Sequence, residues 1–337
     1  MNIWKITESN KIVRTEKKVE EDSTLVKVRV ARAALTETDF SVYSGLSDVN
    51  YPIVPSKSAV GLISDAENPL GLKVGERVLL SAYSPCYAYK EDSNSIDNCT
   101  NPTIRGVDED GFLSDFAYVD KNSIFTIPES ISDVACLYYD YIAVSLSAVE
   151  KMKIEKGEYV AIVGGDVQSL IFAEVVNYYQ AIPILITKSD YSIRQASANG
   201  IDYVINTRKS NPVEKVFEIT GGRMAEHVTY SVYSGESNEN IFKLAKINGS
   251  IGILGYNKQK SPITADLNEL ISRQLSLYGI KEGMKEITSA INMLAMNAIN
   301  TSIYQTSKVS FASVESIFSG DKVGNNPGLI IVDCNDA

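Results

Sequence analysis

The chain has 337 residues, of which 44% are hydrophobic and 22% charged, and carries a formal net charge of −10. That length suits two domains with separate cores, and the ordinary composition excludes a disordered chain or a repeat array. An acidic balance with no basic cluster along any face excludes nucleic acid as a partner, and the single histidine, His227, excludes multi-histidine zinc sites and histidine dyads.

The first residues, MNIWKITESNKIV, mix charge with apolar side chains, so no signal-peptide core is present, and no window approaches a membrane span. The expectation is a cytoplasmic protein with no membrane partner. TLVKVRVARAAL then alternates as a strand does, and YPIVPSKSAVGLIS, GERVLLSAYS and FLSDFAYVDKNSIFTIP continue as short strands with Gly and Pro between them. These residues predict an all-β domain. Within it, residues 84–105 are polar and aperiodic and read as a long surface excursion. The cysteines Cys86, Cys99, Cys136 and Cys334 are scattered without a C-x-x-C pair, which suits reduced structural thiols.

From Asp133 the period changes. Ser132 is a helix-cap candidate before SDVACLYYDYIAVSLSAVEKM, and the apolar strands YVAIVGG, PILIT, YVIN, HVTYSVY and GSIGILGY follow. Helical segments alternate with them: VQSLIFAEVVNYYQ, SIRQASANG, PVEKVFEITG and NENIFKLAKI. This alternation predicts a doubly wound parallel sheet, so the fold class is α/β. The tail adds an amphipathic helix, ITSAINMLAMNAI, and a last strand, GLIIVDC, that returns to the β domain.

Several landmarks stand in a shared order: TETDFSVYSG, AVGLI, VGERVLL, DGFLSDFAYV, IPESIS, ITGGRMAEHV and GSIGILG. In these the chain resembles, over nearly its whole length, the medium-chain dehydrogenase/reductase superfamily and its zinc alcohol dehydrogenase branch. The resemblance implies a GroES-like β domain at 1–140, a Rossmann domain at 141–281 and a return to the first domain at 282–337. It implies an NAD(P)-dependent oxidoreductase acting on a small alcohol, polyol or carbonyl compound, a ligand cleft between the domains, and a homo-oligomer.

The catalytic positions depart from that pattern. Thr36 stands where the branch has a zinc-binding cysteine, Lys57 for the histidine, Ser58 for the neighbouring glutamate and Asp140 for the last ligand. One carboxylate beside an ammonium is no zinc site, so no catalytic metal is expected. Cys86 and Cys99 bracket the excursion where the family carries four structural-zinc cysteines, and a metal-free loop is expected there too. Lys57 and Asp140 are expected to pair, either as a plug in the vacated metal pocket or with Lys57 as the electrophile and Thr38 relaying the proton. Thr38 reads equally as a turn residue, and His227 as a half-buried strand histidine. The alternative function is a catalytically inactive relative that binds a ligand or partner.

The cofactor turn is degenerate as well. Gly164 keeps the first glycine of G-x-G-x-x-G, Gly165 follows it, and Asp166 and Ser169 replace the second and third. Asp166 either repels a pyrophosphate or caps the following helix. At the end of the second strand, Thr187 and Lys188 replace the acid that NAD enzymes place against the ribose. Lys188 is either a receiver for a 2′-phosphate, which favours NADP over NAD, or an exposed loop lysine.

Overall fold

The computed structural model describes residues 1–18, 24–47, 49–65, 68, 70–84, 103–255, 267–304, 306–320 and 328–336. Two compact units divide the chain: Met1–Tyr138 with Gln305–Ala337, and Tyr139–Tyr304.

The first unit begins with β1 (Asn2–Glu8), β2 (Lys11–Glu16), β3 (Val26–Leu35), α1 (Glu37–Tyr43), β4 (Ser58–Ile63) and β5 (Arg77–Leu80). It continues through β6 (Tyr83–Ser84), β7 (Thr103–Ile104), β8 (Phe116–Val119), β9 (Ile124–Thr126) and α2 (Asp133–Cys136). Alternation in β3 buries Val26, Val28 and Val30, and a fully buried branched side chain contributes about 1.5–3 kcal/mol. Ser132 does cap α2, its hydroxyl accepting from the Ala135 N–H at 3.1 Å.

The second unit contains α3 (Tyr139–Met152), β10 (Tyr159–Val163), α4 (Val167–Tyr178), β11 (Ile182–Thr187), α5 (Asp190–Ala198), β12 (Tyr203–Asn206) and α6 (Pro212–Ile219). It is completed by β13 (Ala225–Ser231), α7 (Ile241–Leu244), β14 (Ala245–Leu254), α8 (Leu267–Ser272), β15 (Ser276–Ile280) and α9 (Ile287–Ala295). Its six strands are all parallel, in the order β12-β11-β10-β13-β14-β15. The chain therefore winds outward from β10 in one direction and then, from β13, in the other. Val163, Ile184, Ile186 and Val228 pack the core over this sheet.

The chain then re-enters the first unit with β16 (Ser307–Ser310), α10 (Val314–Ser319) and β17 (Ile330–Asp333). The first unit's main sheet runs β16-β17-β3-β4-β5-β9, with β8 also paired to β3. The last strand, β17, lies antiparallel to β3, Ile330 opposite Leu35.

Two expectations differ from this arrangement. NENIFKLAKI is helical only over Ile241–Leu244, because Ala245 already enters β14 in register with Ala225. The tail helix stays with the second unit, which runs to Tyr304 rather than ending at 281. The physical reason is Glu174 of α4. Its buried carboxylate accepts from the Asn300 N–H at 3.0 Å and from the Tyr304 hydroxyl, tying the segment after α9 to α4.

Candidate functional site

In the first unit, Thr36 leaves β3 and caps α1. Asp39 reaches back, its Oδ2 accepting from the Thr36 N–H at 2.7 Å and the Thr36 hydroxyl at 3.0 Å, the reciprocal half of a capping box. Its other oxygen accepts from the Ser56 N–H at 2.6 Å. Burial raises the Asp39 carboxyl above its usual range, against the opposing pull of these donors and of the nearby Lys57 charge.

Ser56 is fully buried at φ +75°, a left-handed conformation uncommon for a residue with a side chain. Gly111 passes so close that a Cβ there would lie 2.2 Å from the Ser56 oxygen, and the Phe112 N–H donates to that oxygen at 2.8 Å. This clamp fixes where Lys57 leaves the backbone. Lys57 and Thr38 are both half-buried. The Thr36 hydroxyl is committed to a carboxylate and an ammonium has no lone pair, so the donors at these positions do not suit zinc. Among the described residues no group of three or more His, Cys, Asp or Glu could hold a metal ion. Cys86 and Cys99 lie outside the described residues. Cys136 and Cys334 are free and buried; burial pushes the Cys136 thiol up to about 12 and raises that of Cys334 as well.

In the second unit, Asp140 is buried in the first turn of α3. The strand-to-helix turn after β10 holds Gly164, Gly165 and Asp166. Asp166 is the N-cap of α4: Oδ1 accepts from the Ser169 N–H at 3.1 Å and from the Ser169 hydroxyl. Its Oδ2 accepts from the hydroxyl of Ser231, the last residue of β13. Asp166 therefore caps α4, and its carboxylate stays at the turn while doing so. The carboxylate sits at the helix N-terminus, where the backbone dipole favours an anion, and spans the crevice between β10 and β13. The glycines serve close packing. A Cβ on Gly164 would lie 1.9 Å from the Ser169 hydroxyl, and one on Gly165 2.3 Å from that of Thr187.

Thr187 ends β11, beside β10, and Lys188 follows it. Here the structure adds a residue that the sequence reading missed. The segment after β13 crosses the end of β10 and delivers Glu236, whose Oε1 accepts from the Thr187 hydroxyl at 2.9 Å and from the Lys188 N–H at 2.8 Å. Glu236 is buried, and the Lys188 ammonium donates to the Gly235 carbonyl at 2.6 Å. Nothing in the local spacing marks Glu236, which lies 49 residues from Thr187.

His227 lies at the opposite, amino end of the parallel strands. Its ring is buried between the Ser250 hydroxyl at 2.6 Å and the Glu158 carboxylate at 2.7 Å. Glu226 beside it accepts from the Tyr159 N–H at 2.8 Å and pairs with Lys246 at 3.0 Å. These bonds fasten strand ends, so His227 is the strand histidine expected.

Two family models match the chain: the alcohol dehydrogenase GroES-like domain at residues 22–129 and the zinc-binding dehydrogenase domain at residues 170–296. An uncharacterized zinc-type alcohol dehydrogenase-like protein of Haemophilus influenzae is 25% identical over 315 residues, 92% of each chain. Among solved structures, a Sinorhizobium meliloti protein designated a zinc-binding dehydrogenase and bound to NADP superposes with a TM-score of 0.87 over 98% of each chain, at 19% identity. The RspB alcohol dehydrogenase of Escherichia coli, complexed with NADH, gives a TM-score of 0.83 over 99% of each chain, at 20% identity.

Proposed function

The chain belongs to the medium-chain dehydrogenase/reductase superfamily, in its zinc-containing alcohol dehydrogenase-like branch, and from that premise we propose a zinc-independent oxidoreductase that uses a nicotinamide dinucleotide. Its substrate class is a small alcohol, polyol or carbonyl compound. The observation that carries the reading is the carboxyl end of the second unit's sheet: strand order reverses between β10 and β13, a glycine pair turns there into α4, and a buried carboxylate stands at the end of β11. Open α/β sheets bind ligands at such a reversal. The residues fit a dinucleotide, with Gly164, Gly165 and the start of α4 toward the pyrophosphate and Thr187, Lys188 and Glu236 toward the adenosine ribose. Asp166 weakens the pyrophosphate end by its charge.

When bound, the dinucleotide would supply or accept a hydride. The chain's own contribution lies with Lys57 and Thr38. Lys57, anchored by the clamped Pro55–Ser58 segment and balanced by Asp39, polarises the substrate oxygen in the place of a metal, and Thr38 relays the proton. The inferred homo-oligomer forms along β15, an edge strand of the sheet, where Leu277 is exposed, as are Ile271 and Leu267 of the preceding α8.

A second reading, a non-catalytic relative that binds a ligand or partner, is favoured by the Asp166–Ser231 bond across the crevice. Titration of the purified chain with NADH and NADPH separates the two. Micromolar binding of either, read by fluorescence or thermal shift, supports the oxidoreductase; no shift at millimolar cofactor supports the second reading. Elemental analysis after dialysis tests zinc independence, and one zinc per chain held at Thr36, Lys57 and Asp140 would refute it.

A further inference from the structure

We propose that Glu236 reads the adenosine ribose and makes this chain prefer NAD(H) to NADP(H), an assignment that rests on the nicotinamide reading above. The strand that should end in the ribose-binding acid ends instead in Thr187, with Lys188 after it, and from the sequence alone that absence points to NADP. The fold restores the missing charge from elsewhere. Glu236 comes from the segment after β13 and is held over the end of β11 by the Thr187 hydroxyl and the Lys188 N–H, both bonded to Oε1. Its backbone is fixed as well, since the Tyr230 hydroxyl donates to the Glu236 carbonyl at 3.2 Å. Among the described residues, Oε2 accepts no hydrogen bond, which leaves it as the acceptor for a ribose hydroxyl.

The same geometry works against a 2′-phosphate. Glu236 is only 8% exposed, so water screens its charge poorly, and a phosphate placed against it meets like charge. The Lys188 ammonium donates to the Gly235 carbonyl, which holds it against the backbone rather than in a salt bridge with Glu236. A hydroxyl is a donor that the carboxylate can use, whereas a phosphate offers it chiefly repulsion.

The test is a pair of titrations, NADH and NADPH, on the full chain and on Glu236→Gln, with circular dichroism confirming the fold. The unmodified chain should bind NADH at least about tenfold more tightly than NADPH. Glu236→Gln keeps the side chain's length and one acceptor oxygen, and should bring the two affinities within about threefold of each other, mainly by strengthening NADPH. Equal or tighter binding of NADPH by the unmodified chain overturns the assignment while leaving the nicotinamide reading intact, and this arm decides even if the variant fails to fold. A folded variant with the original ratio overturns it too. Binding of neither cofactor to the unmodified chain removes the nicotinamide reading itself, and the assignment with it.

Discussion

Asp166 offers the sharpest perturbation, because one carboxylate caps α4 and spans the crevice to β13. Asp166→Ala removes the acceptor of the Ser169 N–H and the partner of the Ser169 and Ser231 hydroxyls. Loss of an N-cap costs about 1 kcal/mol, and hydrogen bonds to a charged group that are replaced only by water add about 1 kcal/mol more. The total, about 2 kcal/mol, corresponds to about 4–8 °C in the melting temperature of a unit this size. Asp166→Asn separates capping from charge, since Asn caps almost as well as Asp; it should cost less than about 1 kcal/mol. A pyrophosphate charge about 5 Å away, at an effective dielectric near 20, feels about 3 kcal/mol of repulsion from the native carboxylate. The serine donors disperse part of that charge, so Asp166→Asn should tighten NADH binding about tenfold rather than the full hundredfold. Scanning calorimetry and NADH titration on the same preparations measure both effects. An Asp166→Ala protein as stable as the parent would refute the capping energetics, and an Asp166→Asn protein with unchanged affinity would refute the repulsion.

The remaining expectations concern other parts of the chain. Lys57→Met should abolish turnover of any substrate found while leaving cofactor affinity unchanged, and should raise the Asp39 carboxyl further by removing an opposing charge; steady-state kinetics with an NADH titration check it, and retained turnover would leave Lys57 a plug. Burial raises the Glu174 carboxyl above 4.5 despite the Tyr304 and Asn300 donors, so the folded chain holds this proton more tightly than the unfolded one. Stability should therefore fall as pH climbs from about 4.5 through the raised value and level off above it. Glu174→Gln should shallow that slope in urea titrations, with Asp39 supplying the part that remains. Leu277→Glu, placing a charge on the exposed β15 edge, should shift the chain from oligomer to monomer in light scattering, and an unchanged mass would place the contact elsewhere.

The elements of the fold were largely legible because their signals are local. Alternating valines mark β3, and the Ser132 hydroxyl marks the start of α2 from three residues away. Asp166 was half-legible. Its residue type suited a cap, but Oδ2 depends on Ser231, which only the pairing of β10 with β13 brings near. Glu236 was illegible for the same reason in stronger form: the strand order, not the spacing, carries it to Thr187. The domain boundary was misplaced because the apolar stripe of α9 says that the helix must pack but not on what, and it is the contact of Glu174 with Asn300 and Tyr304 that keeps this segment in the second unit. The Thr36 and Lys57 substitutions were plain in the sequence. The capping of Thr36 by Asp39, and the Ser56 clamp behind Lys57, needed coordinates.

The position of β17 bears on how the chain is made. Residues Arg32–Ala34 of β3 pair on one side with β4, and Arg32–Leu35 pair on the other with Asp333–Ile330, so during synthesis that second side stays open until residues 330–333 have emerged. The second unit is contiguous and can close while the first waits for its last strand. Through that interval a ribosome-bound chain presents the backbone of an apolar strand end, Ala33-Ala34-Leu35, to any neighbouring nascent chain able to pair with it. A premature stop before Ile330 would make that temporary vulnerability permanent, and the shortened product should collect as aggregates although its second unit is fully encoded.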